Sequence, residues 1–314
     1  MKKSLRVLLF AALVLTLLTI SAVAVAAAPF STGDNTYATL PEAVAAVADG
    51  GTITMTESAT FSGDIVLSAN KTYTITASKS SVTLTLSSGS LRINGGNVTV
   101  STLKLLAQAN NALMVANQGT RVTVLSGTYV SEGTTVATSA SVTADYSAYL
   151  QIDGGTFTGA VGTYDSSAGS LGGTSSAHTT IVINGGSFAR AANTTGTAYV
   201  LRLARQYTDI TVNGGTFVYD YTAGTERSGY TVYFNTSTGS LTINGGSFTS
   251  QGVQGATVVD IQSGVLTIND GQFYALQQSV YVLKAYSGSP TVTINGGLFT
   301  FVDSLKKAAF LMMA

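Results

Sequence analysis

The sequence predicts an all-β protein, a single-stranded right-handed parallel β-helix of about eight or more coils with an N-terminal capping helix. Three observations lead there. Of 314 residues only 10% are charged, while 34 are Gly and 3 are Pro. One apolar-Asn-Gly-Gly-x-Phe hexad recurs along most of the chain. A second short apolar run precedes most copies by about ten residues. Solenoids are read from this kind of self-similarity at a fixed period.

The composition is that of strands and tight turns. Thr, Val, Ile, Tyr and Phe suit a pleated surface, and Gly and Asn supply its corners. Cysteine is absent, so stability must come from continuous packing and not from disulfides. Residues 1–28 hold Lys2, Lys3 and Arg6, which leaves the remainder mildly acidic at about −3 and without a basic run. Phosphate recognition needs a basic stripe, so nucleic acid is not an expected partner.

Residues 1–28 read as a signal peptide. Basic Lys2, Lys3 and Arg6 are followed by an apolar run from Val7 to Ile20 and by Ala24-Val25-Ala26, a small-residue cleavage pattern. The expected address is extracellular or at the cell surface. Membrane association is expected only if this signal stays uncleaved.

Residues 29–55 are expected to cover the first coil, because the end of a coil stack exposes unpaired strand edges. Thr39 can cap a helix with Pro41 in its first turn, and Asp49-Gly50-Gly51 can end it. Leu40, Ala43, Val44 and Val47 would form the buried face.

Residues 56–303 are expected to form the coils. The hexads begin at Ile93, Val124, Ile152, Ile183, Val212, Ile243, Ile268 and Ile294, 25 to 31 residues apart. In the fullest copies, such as Leu241-Thr242-Ile243, inward apolar residues alternate with an outward Thr. Asn-Gly-Gly then turns the corner through positive φ, a role assigned to Gly214 and Gly245 among others. Stacking predicts an internal column of Phe157, Phe188, Phe217, Phe248, Phe273 and Phe299, continued by Tyr129 and Val98. It also predicts a corner column of Asn184, Asn213, Asn244, Asn269 and Asn295. Residues 304–314 read as a C-terminal capping helix or as the continuation of a longer repeat array.

The helix of residues 37–47 and the Asp49-Gly50-Gly51-Thr52-Ile53 entry into the first coil resemble the N-terminal cap of the pectate-lyase-like right-handed β-helix superfamily. The Ile-Asn-Gly-Gly-x-Phe coils resemble those of non-catalytic bacterial surface proteins. The resemblance implies a β-helix over residues 37–303. Its enzymes carry acidic calcium ligands with a basic residue, Asp residues with Gly-His-Gly and Arg-x-Lys, or two Asp with an Arg. No such unit stands in this sequence, so no catalytic residue, metal or cofactor is assigned. His178, the sole histidine, lies in a polar stretch and reads as a solvated loop residue.

Aligning the coils backwards from the hexad places Arg202, Tyr233, Asp260 and Lys284 at equivalent outward positions of four successive coils. At ~4.8 Å per coil they would form a stripe about 15 Å long. Charged and aromatic side chains in a row suit a polysaccharide or cell-surface glycan, and Lys284 would favour an acidic one. Tyr219, Tyr221, Tyr230, Tyr274 and Tyr286 are expected on the surface nearby. The favoured reading is a non-enzymatic exported protein for surface attachment or carbohydrate recognition. The alternatives are a divergent polysaccharide lyase or hydrolase, and a structural rod or filament subunit.

Overall fold

The computed structural model describes residues 28–135, 140–163, 172–190, 197–221, 229–252, 256–276, 279, 281–286, 288–302 and 310–312. The proposed signal peptide lies outside them, apart from Ala28. Among them no helix is long and apolar enough to cross a membrane.

The fold is a parallel β-solenoid. Each coil runs through three strand positions, well seen in Tyr149–Ile152, Thr156–Thr158 and Ala160–Gly162. We call these the leading strand, the Phe strand and the band strand. The Phe strands of successive coils form a ten-stranded sheet running from Ala59–Phe61 to Leu298–Val302. The leading and band strands join into a second sheet, partly because Gly229–Ile243 and Thr257–Ile268 pass through both positions without a break.

At the N-terminal end, Phe30–Thr32 pairs antiparallel with Asn35–Tyr37 and with Gly51–Met55. The helix Leu40–Ala46 follows. Glu42 N–H donates to the Thr39 hydroxyl, and Thr39 N–H donates back to the Glu42 carboxylate at 3.0 Å. This reciprocal arrangement satisfies two otherwise unpaired donors. Leu40, Ala43, Val44 and Val47 are buried with Phe30, Ile53 and Ile65 in the continuous core. At the other end, Phe310–Met312 is a strand parallel to Leu283–Ala285, so these residues are not part of the helix considered for 304–314.

The core follows the alternation in the sequence. Phe157, Phe188, Phe217, Phe248 and Phe273 are each 0% exposed. From Tyr129 through to Phe299, successive rings lie 4.5 to 5.0 Å apart and within 6 to 11° of parallel. Each buried ring contributes roughly 1.5–3 kcal/mol by leaving water. The Asn column is equally regular. Asn184 donates to Asp153, Asn213 to Asn184, Asn244 to Asn213, Asn269 to Asn244 and Asn295 to Asn269, all at 2.7 to 2.8 Å.

Two expectations about the hexad need correction. Val98 pairs with Val122 in the leading sheet, whereas Tyr129 pairs with Leu105, so the column continues through Leu105 and Leu84. The copy beginning at Ile93 turns a different corner, the one between band and leading strands, because Ile93 pairs with Val115 of a band strand. Any corner of this tightness accepts the same Asn-Gly-Gly solution. Positive φ also belongs to the second glycine, Gly215 at 106° and Gly246 at 104°. Gly214 and Gly245 are required for clearance instead. A Cβ on either would stand 2.8 Å from the carbonyl oxygen of Asn184 or Asn213 in the preceding coil.

Candidate ligand-binding face

The band strands do not alternate strictly. Val200 and Leu201 are both fully buried, as are Val258 and Val259, and Val282 and Leu283. Two successive inward residues shift the parity, so the residues three apart on either side both leave the core. Two outward columns result. Arg202, Tyr233, Asp260 and Lys284 pair in register as the first. Tyr199, Tyr230, Thr257 and Tyr281 pair in register as the second.

The columns meet through their rings. Tyr199 stacks on Tyr230 with centroids 5.7 Å apart, and Tyr233 tilts against them at 4.8 and 5.4 Å. The Arg202 guanidinium lies 5.2 Å from the Tyr199 ring centre. The Lys284 ammonium sits 3.8 Å over Tyr286 and 5.9 Å from Tyr281. Cation–π contacts of this kind contribute about 0.5–2 kcal/mol, more as water is excluded.

A hydrogen-bonded chain links the same side chains. Asn235 donates to the Tyr233 hydroxyl at 3.2 Å, and that hydroxyl donates to Gln262 Oε1 at 3.4 Å. Gln262 Nε2 donates to Asp260 Oδ1 at 3.2 Å and to the Tyr286 hydroxyl at 2.9 Å. The other Asp260 oxygen faces the Lys284 ammonium at 3.7 Å. Burial pushes the Asp260 carboxyl up, against the opposing pull of Lys284 and Gln262. Burial and the nearby Asp260 charge push the Tyr230 hydroxyl up.

All four proposed residues thus share one column and one face, but they are not equally open. Arg202 is 6% exposed and Asp260 0%. They stand in the outward register, with Arg202 against the Tyr199 ring and Asp260 against Gln262 and Lys284, and both are shut off from solvent. Tyr233 and Lys284 remain half-buried, as do Tyr199, Tyr230, Asn235, Gln262, Tyr281 and Tyr286. The accessible surface is therefore mostly phenol and amide. Tyr199 and Tyr281 were missed in the sequence because strict alternation sends residues three before Arg202 and Lys284 inward. The paired apolar residues Val200-Leu201 and Val282-Leu283 were the available signal.

Other expected surface residues fall elsewhere. Tyr219 is buried, with its ring occupying the space where a Cβ on Gly229 would stand. Tyr274 lies on a Phe strand, its hydroxyl 3.0 Å from Gln272. The Tyr221 side chain is outside the described residues. His178 is not a free loop residue: its Nδ1 lies 2.7 Å from Asp209 Oδ2. Asp209 Oδ1 accepts from Ser240 N and Oγ at 3.1 and 2.5 Å. The carboxylate stands between imidazole and hydroxyl, so this histidine does not activate that serine as a general base would. Among the described residues no three His, Cys, Asp or Glu side chains gather to hold a metal ion.

No family model, no curated protein and no solved structure matches this chain. The functional reading rests on the geometry of the band face.

Proposed function

We propose that the protein is an exported, non-enzymatic β-helix that binds carbohydrate, with the tyrosine-rich band as its contact surface. One observation carries this reading: the in-register column Arg202–Tyr233–Asp260–Lys284 lies beside Tyr199, Tyr230 and Tyr281 on one outward face. The backbone ladder fixes these groups at ~4.8 Å intervals, so little ordering is needed on binding. A saccharide chain laid along the coil axis would meet phenol hydroxyls and amides in sequence. The rings stack on one another, so they offer edges and hydroxyls more than open faces, and hydrogen bonding would dominate over ring stacking.

Catalysis is the weaker reading. A hydrolase or lyase needs an acid and a base converging on one atom. Among the described residues Asp260 has no second carboxylate in its column, and it is shut off from solvent.

A glycan array with the secreted form tests the proposal. The parent should bind at least one polysaccharide, and a Tyr230→Ala, Tyr233→Ala double variant that melts at a similar temperature should lose it. An array blank for the parent, or unchanged for the variant, rejects this face as a glycan site.

A further inference from the structure

We infer that the saccharide accepted by this band is an uncharged one, an inference that rests on the carbohydrate reading of the same face. The reason lies in where the charges sit. The Lys284 ammonium is already held between the Asp260 carboxylate at 3.7 Å and the Tyr286 ring at 3.8 Å. Its side chain is only 22% exposed. Arg202, the other cation of the column, is 6% exposed and so lies out of reach of an incoming carboxylate.

Among the described residues of the two columns, an acidic sugar would therefore find no open cation. It would have to give up its hydration next to the buried Asp260 carboxylate, and a desolvated, unmatched charge is costly. A neutral sugar meets a different surface. The Tyr230 and Tyr286 hydroxyls and the second Asn235 amide hydrogen can donate, and the Tyr233 hydroxyl and the Gln262 carbonyl, although already hydrogen-bonded to each other, can still accept, as sugar hydroxyls require. Tyr230 keeps its proton at neutral pH as any phenol does, and burial and Asp260 push its ionisation further up. Lys284, expected from sequence to recruit an acidic chain, serves instead to match Asp260 and to hold Tyr286 in place.

Affinity electrophoresis separates the possibilities. The secreted protein is run through gels containing galactomannan, xyloglucan or starch as neutral probes, and polygalacturonate or alginate as acidic ones, at low and high salt. The expected result is retardation by a neutral probe that salt does not relieve, since no exposed ion pair is screened. Tyr233→Ala should weaken that retardation about tenfold. Should the alanine variant not fold, Tyr233→Phe removes only the hydroxyl and should still weaken it. Retardation by the polyuronates that high salt relieves would overturn the inference while leaving carbohydrate binding intact. Retardation by no probe would overturn the carbohydrate reading and this inference with it.

Discussion

Asp260 and Lys284 occupy adjacent coils in direct register, with the ammonium 3.7 Å from a carboxylate oxygen that has no exposure to solvent. The pair is a compromise. The carboxylate loses its hydration, and Lys284 and a single Gln262 hydrogen bond at 3.2 Å offset only part of that cost.

The first prediction follows from the sign of this imbalance. The folded-state pKa of Asp260 is raised, so its contribution to stability is fully present below the unfolded carboxylate range. That contribution is lost as pH rises through the folded value. Asp260→Asn cannot ionise. The melting temperature of Asp260→Asn relative to the parent should therefore climb between acidic and neutral pH. Thermal melts across that range check this, and a flat difference would show that Asp260 is as well solvated when folded as unfolded.

The aromatic column gives a second prediction. Phe217→Ala and Phe248→Ala should each destabilise by roughly 3–5 kcal/mol, as expected for a deleted buried ring. Thr216→Ala, on the same strand but facing out, should change stability by under about 0.5 kcal/mol. Urea titrations of the three variants compare the two classes directly.

The corner glycines give a third. Gly215→Ala forces a side chain onto a φ of 106°, while Gly214→Ala drives a Cβ to within 2.8 Å of the Asn184 carbonyl. Both should lower the melting temperature, for different reasons. An asparagine at the two positions separates them, since Asn tolerates positive φ better than Ala but is larger. Asn should cost more at Gly214 than at Gly215, where a Cβ meets the Phe188 ring and the Gly186 oxygen only at 3.1 and 3.2 Å.

The Asn column gives a fourth. Asn244 donates to Asn213 and accepts from Asn269, each at 2.8 Å. Asn244→Asp keeps the shape and the acceptor but sets a carboxylate against the Asn213 oxygen. A loss of about 1 kcal/mol is expected at neutral pH, from one broken hydrogen bond. The loss should shrink when the new carboxyl is protonated, which melts at acidic pH would show.

Much of this was legible because a solenoid writes its fold in repeats. The Phe and Asn columns, and the register of Arg202 with Tyr233, Asp260 and Lys284, follow from counting backwards from Asn-Gly-Gly. What counting does not give is local parity. The successive inward pair Val200-Leu201 brings Tyr199 out beside Arg202, and only the two adjacent apolar residues, not the alternation itself, signal it. Burial is equally hidden: Asp260 is outward in register yet has no exposure to solvent. The Ile93 hexad misleads for a further reason, since one corner chemistry serves two corners of the coil.

Hydroxyl-radical footprinting of the protein with a bound neutral polysaccharide tests the central claim most directly. Tyr230, Tyr233 and Tyr286 lie on the band face, whereas Tyr274 lies on a Phe strand and serves as an internal control. The account predicts that the polysaccharide slows oxidation of the first three and leaves Tyr274 unchanged. Protection of Tyr274 with the band tyrosines still oxidised at the free rate would contradict it.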